Sequence, residues 1–230
     1  HDVSIPITNK TFPSTLPQAP IEESSESSAN GELSAAHLAQ NAITIEDLRK
    51  ALENFDGCSL KKTATNLVFM DGNPEAQIML IGEGPGAEED RQGLPFVGAS
   101  GKLLDKMLSS IGLDRKKVFV SNTVFWRPPG NRTPTQQEIA ACLPFVERMI
   151  QLVGPRILVT LGGAAAKLLL EQDASVGRLR GKWFSYLLPG MTSSIEATVI
   201  FHPAYLLRSP AQKRDTWKDW QVIRRKLDDI

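Results

Sequence analysis

The stretch IMLIGEGPGAEEDRQGLPFVGASGKLLDKML, residues 78–108, decides how the rest of the chain is read. Its first four residues, Ile78 to Ile81, are a short apolar run of the kind that forms a strand covered on both faces. Glycines follow at 82, 84 and 86, and Lys102 to Ile111 then carries helical periodicity ended by Gly112. A strand, a glycine turn and a helix in this order often cradle a phosphate. This turn, however, brings Glu83, Glu88, Glu89 and Asp90 to the same place.

The same alternation continues outward. Val118 to Val120, Ile157 to Leu161 and Ala197 to Phe201 read as further strands. Between them, Thr135 and Glu138 are spaced to cap a helix running towards Val153, and Ala164 to Leu170 reads as another helix. Ser209, Pro210 and Gln212 open a last helix with an apolar stripe of Trp217, Trp220, Ile223 and Leu227, which places both tryptophans in the core. The pattern predicts an α/β fold: a three-layer α/β/α sandwich with a central, mainly parallel sheet of about four strands and functional loops at the carboxyl ends of the strands.

The 230 residues suit one folded domain and a tail. Residues 1–43 are rich in Ser, Pro, Glu and Ala, read as a disordered acidic tail, and from Thr44 a capping box with Asp47 and the apolar positions Leu48, Leu52 and Phe55 mark the start of the domain, 44–230. The net charge of zero hides two unlike parts: residues 1–57 hold nine acids and three bases, whereas 58–230 hold 17 acids and 23 bases. The basic body suits a polyanion. No apolar run is long enough to cross a bilayer, and the N-terminus resembles neither a signal nor a transit peptide, so the expected location is cytoplasmic. Cys58 and Cys142 are too few and too far apart for a disulfide framework and read as thiols.

Two nucleotide readings of the glycine turn fail on charge and spacing. Gly82, Gly84 and Ala87 fit a loose dinucleotide loop, but that loop would aim four carboxylates at a pyrophosphate. GASGKLL ends like a phosphate-binding Walker loop, yet Leu103 stands where a hydroxyl should bind magnesium. Carboxylates suit a substrate that develops positive charge, as a sugar does when its glycosidic bond breaks. Three strand-end residues complete such a site: Phe96 offers a stacking face, Asn122 an amide for a base edge, and His202, the sole histidine of the body, follows the last strand. These are the parts of a pocket for a flipped base.

GEGPGAEED, LPFVGASGKLL, SNTVFWRPPGNRTP and HPAYLLR together resemble the signature segments of the uracil-DNA glycosylases, specifically the iron-sulfur branch called family 4. The resemblance runs from about Cys58 to Trp220. It implies a monofunctional glycosylase that flips uracil out of DNA and hydrolyses its N-glycosidic bond, leaving an abasic site in base excision repair. Catalysis falls to Glu83 and His202, with Glu89 and Asp90 as accessory acids. Uracil binding falls to Gly84, Ala87, Phe96 and Asn122. Tyr205, Leu206, Leu207 and Arg208 become candidates for the wedge that replaces the extruded base. Lys213, Arg214, Arg178 and Arg180 are candidates for phosphate contacts.

Family 4 holds a [4Fe-4S] cluster on four cysteines, and the matching positions here are Phe55, Cys58, Trp126 and Cys142. Two thiolates cannot supply four ligands, so no cluster or other cofactor is expected, and Cys58 and Cys142 read as remnants of the ligand set. Structural readings stand beside each role: the acids as a solvated helix start, Phe96 as core, Asn122 as a strand-end cap and His202 as a helix cap. The competing functional readings are a non-catalytic or covalent binder of damaged DNA and, more distantly, a nucleotide-dependent α/β enzyme. A monomer acting on uracil-containing DNA is expected; the tail's partner is open.

Overall fold

The structure is a computed structural model that describes residues 34–229, so the expected tail up to residue 33 lies outside the described residues. The elements follow in the order α1 (Ala35–Asn41), α2 (Ile45–Glu53), β1 (Asp71–Gly72), β2 (Ile78–Gly82), α3 (Ala87–Gln92), α4 (Ala99–Ser110) and β3 (Phe119–Asn122). They continue with α5 (Gln136–Val153), β4 (Ile157–Leu161), α6 (Gly163–Leu170), α7 (Val176–Leu179), β5 (Trp183–Tyr186), β6 (Ile195–Ile200), α8 (Pro203–Arg208) and α9 (Lys213–Asp228).

The strands form one sheet in the order β1-β3-β2-β4-β6-β5. The central four, β3, β2, β4 and β6, run parallel and are the four strands legible in the sequence. Every residue of β2 and β4 is buried, as unbroken apolar strands require when helices cover both faces. Alternate side chains of β2 serve opposite layers: Met79 and Ile81 join Leu48, Leu52, Phe145 and Leu169, whereas Ile78 and Leu80 join Leu104, Leu108, Trp220 and Ile223. This alternation builds the three layers.

Four sequence expectations shift. The sheet has six strands because β1 and β5 add antiparallel edges; β1 is two residues long and leaves no periodicity to read. The folded part extends before residue 44: α1, read as tail on composition, packs on α5, burying Ala39 and Ala42. Arg148 of α5 holds the Ala42 carbonyl with Nε at 2.9 Å and Nη2 at 2.8 Å, which fixes this segment to the body. Helix α4 begins at Ala99, three residues ahead of Lys102, because Glu89 satisfies N–H groups at its start. Trp220 is fully buried, but Trp217 stays 38% exposed, since only one of them lies on the inner face of α9.

The connection after β2 leads to β3 on one side, and that after β4 leads through the edge strand β5 to β6 on the other. The loops diverge where the chain changes direction across the sheet, which opens a crevice at the carboxyl ends of the strands. Among the described residues no helix is long and apolar enough to cross a membrane.

Candidate active site

A cavity of about 470 Å³ occupies this end of the sheet, and Glu83, Gly84, Phe96, Asn122 and His202 all line it. Pro85, Gly86, Ser100, Arg132 and Arg208 contribute further wall. The strands bring these residues together directly: Glu83 follows β2, Asn122 closes β3 and His202 follows β6.

Gly82, the last residue of β2, pairs in register with Asn122. A methyl group on Gly82 would lie 2.5 Å from Phe96 Cζ and 2.6 Å from Asn122 Oδ1, so only glycine lets both side chains reach the cavity floor. Asn122 is 1% exposed, and its Oδ1 is buried with no hydrogen-bond partner among the described residues. Such an orphaned acceptor is costly unless something arrives to pair with it. The Phe96 ring lies 5.6 Å from the His202 ring, centre to centre, at 34°. Phe96 itself adopts φ 55°, a left-handed conformation that costs a bulky residue of order 1–3 kcal/mol.

His202 caps α8: its Nδ1 accepts the Ala204 N–H at 3.1 Å. A nitrogen that accepts carries no proton, so the ring proton sits on Nε2 and that N–H is left as a donor. Burial, with Arg208 adding to it, pulls the imidazole down to about 4, which keeps it neutral near pH 7. The capping role and the donor role are therefore compatible. Burial alone pushes the Glu83 carboxyl up. Its backbone is fixed by Thr123, whose hydroxyl donates to the Glu83 carbonyl at 2.6 Å, and by Val124 N–H at 3.3 Å. Gly162, at φ 95° beyond β4, leaves room for His202, since a Cβ there would stand 3.1 Å from His202 Cβ.

The sequence profile of the Uracil DNA glycosylase superfamily matches residues 69–223, which contain every one of these groups. The chain belongs to the uracil-DNA glycosylase superfamily. It is 38% identical over 181 residues to the type-4 uracil-DNA glycosylase of Pyrobaculum aerophilum, covering 77% of this chain and 91% of that protein. It is 39% identical over 186 residues to that of Sulfurisphaera tokodaii, covering 79% and 84%. The type-4 enzyme of Thermotoga maritima is 37% identical over 166 residues, covering 72% and 84%.

Within this superfamily chain, several expected site residues take other places. Asp90 is not free for chemistry: its Oδ1 accepts the Thr65 and Asn66 N–H groups at 2.8 and 3.1 Å and ties the 65–66 loop to α3. Glu89 lines the cavity, yet its Oε1 accepts from Val97 and Gly98 N–H at 3.0 and 2.8 Å, so it braces the start of α4. Ala87 is exposed on the first turn of α3; Pro85 and Gly86 line the cavity in its stead. Leu206 is fully buried, which removes it as a wedge, whereas Leu207 is 43% and Tyr205 36% exposed, with Tyr205 stacked on Phe201 at 5.0 Å. Arg180 is held by Asp219 through Nε and Nη2, both at 2.9 Å, and by the Asp215 carbonyl at 2.6 Å; it fastens α7 to α9. Arg178, Lys213, Arg214 and Arg208 are exposed.

The residues do not fit a [4Fe-4S] cluster. Cys58 and Cys142 are buried with Sγ atoms 3.9 Å apart, the Cys142 thiol donating to Cys58. That contact brings Cys58 down to about 7 and pushes Cys142 up. Phe55 and Trp126, at the other two positions, are buried apolar side chains, and Phe55 packs on Phe145 at 5.1 Å. No group of three or more metal-ligating side chains occurs among the described residues.

Sequence reasoning missed the glycines at 82 and 162 as spacers, and Arg132. Arg132 lines the cavity while its Nη1 and Nη2 grip Glu138 at 2.8 and 2.7 Å. That grip brings the Glu138 carboxyl down to about 2. The capping box Thr135/Glu138 was the available signal, since an acid in the first helical turn near an arginine-bearing loop invites this pair.

Proposed function

We propose that this chain excises uracil from DNA by hydrolysing the N-glycosidic bond of a flipped deoxyuridine. The observation that carries the reading is the buried, unpaired Asn122 Oδ1 at the floor of a cavity walled by Phe96 and His202. Uracil offers an N3–H to that oxygen and a C4 carbonyl to the amide's own N–H, while its face stacks on Phe96. The His202 Nε2–H donates to O2. As the bond from N1 to C1′ breaks, the electron pair passes into the uracil ring and charge gathers on O2, where this fixed donor gains strength. The Glu83 carboxylate faces the sugar cation and takes the proton of the water that attacks C1′. Uracil then collects one proton, leaving an abasic hydroxyl-bearing sugar.

Leu207, with Tyr205 and Arg208 beside it, fills the gap in the base stack; Lys213, Arg214 and Arg178 track phosphates. The protein works as a cytoplasmic monomer without a cluster. The apolar filling at Phe55 and Trp126 supports this, and stoichiometric iron and sulfide in the purified protein would exclude it. The test of the activity is a uracil-containing oligonucleotide treated with alkali after incubation. Strand cleavage at the uracil by wild type and its loss in Glu83→Ala are expected. Tight retention of uracil-DNA without cleavage would favour the binder of damaged DNA instead.

A further inference from the structure

The left-handed backbone of Phe96 is held from a distance by one side chain. Arg115 opens a short 3-10 turn ahead of β3, 19 residues from Phe96, and its side chain is only 22% exposed. Nη2 donates to the Phe96 carbonyl at 2.6 Å and Nη1 to the Pro95 carbonyl at 3.2 Å. The same guanidinium is clamped by Asp105 of α4, through Nε at 2.6 Å, and by Asp71 of β1, through Nη1 at 3.1 Å. On the other side of the peptide lies Gly101 of α4, where any Cβ would collide with the Phe96 carbonyl. The Phe96 carbonyl is thus wedged against a glycine and held by a guanidinium that two carboxylates orient.

We propose that Arg115 is a positioning residue for base excision, setting the angle of the Phe96 platform on which the flipped base stacks. This rests on the uracil-excision reading. A planar fork with donors in fixed directions can span three segments in this way; an ammonium cannot. The positive φ of Phe96 sets its ring against His202 and Gly82, the fork holds that strained conformation, and without the fork the peptide has an easier one to fall into. The two-residue strand β1 gains a purpose, since it delivers Asp71.

The experiment is a double-mutant cycle read by single-turnover uracil release. Arg115→Met is expected to slow release about 100-fold, the scale for misplacing a reacting group by about 1 Å. Affinity for undamaged DNA should be unchanged, and Arg115→Lys should recover only part of the rate. In a Phe96→Ala background the same Arg115→Met change should alter release less than twofold, because the platform is already gone. Full loss persisting in that background would overturn the proposal, as would wild-type release by Arg115→Met. If Arg115→Met does not fold, Asp71→Asn runs the same cycle with about a tenfold effect expected. A wild type that releases no uracil would overturn the excision reading separately. A crystal structure of the Arg115 or Asp71 variant then decides the clamp: relaxation of Phe96 from positive φ supports it, and an unchanged φ overturns it.

Discussion

Phe96 and Asn122 meet across the single hydrogen of Gly82: a Cβ on that glycine would stand 2.5 Å from the phenyl Cζ and 2.6 Å from the amide Oδ1. The strand end is therefore glycine for the sake of two side chains that belong to other segments. Gly82→Ala should keep the fold at a cost of about 1–3 kcal/mol, typical of overpacking. It should slow uracil release by about 100-fold or more by displacing both groups. Thermal unfolding and single-turnover kinetics measure the two effects, and wild-type release would show that neither contact is needed.

Asn122→Asp tests the base edge. An ionised aspartate only accepts, so it loses the donor to the uracil C4 carbonyl; protonated, it can also donate and meet the bare N3 of cytosine. Uracil release should fall on the order of 100-fold and the uracil-to-cytosine rate ratio should drop, because the wrong pairing leaves buried polar groups unmatched. An unchanged ratio on matched oligonucleotides would remove Asn122 from base reading.

The pH profile follows from Glu83 and His202. The proposed mechanism needs an ionised Glu83, and burial raises its pKa above 4.5, so release should fall as pH drops through that raised value and stay flat towards neutrality, where His202 is already neutral. Stability has its own signs. The folded state holds the Glu83 proton more tightly than the unfolded chain does, so ionisation destabilises the fold as pH rises past 4.5, and Glu83→Gln should unfold at a higher temperature than wild type at pH 7 but not below pH 4. His202 acts the other way, losing stability as pH falls from 6.5 towards about 4, where the unfolded imidazole takes up a proton first. A rate profile that rises on acidification would reverse the assignment of Glu83.

Leu206 and Leu207 are neighbours with opposite fates. Leu206→Ala should destabilise by about 2–5 kcal/mol, since it empties a buried position. Leu207→Ala should leave the unfolding temperature nearly unchanged and slow release from double-stranded substrate more than from single-stranded substrate, where no gap needs filling. Equal effects on both substrates would show that Leu207 is no wedge.

Much of the site was legible before any coordinates. Asn122 and His202 could be named because strand ends in a parallel α/β sheet converge, whereas Glu83 was singled out by the family resemblance and Phe96, expected at a strand end, lies in the loop between α3 and α4; period alone located β2, β3, β4 and β6. The acids were harder. Glu89 and Asp90 share one helical turn with Glu88, and nothing in their order says that Glu89 braces α4, that Asp90 holds the 65–66 loop, and that Glu88 turns to Arg91 at 2.7 Å and Gln92 at 3.4 Å. Those partners lie up to 25 residues away.

The sequence by itself determined the parallel sheet, its main helices and the residue types at the strand ends, because hydrophobic period and helix caps act over a few neighbouring residues. Only the tertiary structure decided which nitrogen of His202 keeps its proton, which acid stays unpaired, and that Leu206 turns inward while Leu207 faces out. It also decided that Arg115 reaches the Phe96 carbonyl and that Gly82 spaces two side chains. These are properties of distances between segments remote in the chain, and hydrogen bonds and steric contacts act only where those segments are brought within a few ångströms of one another.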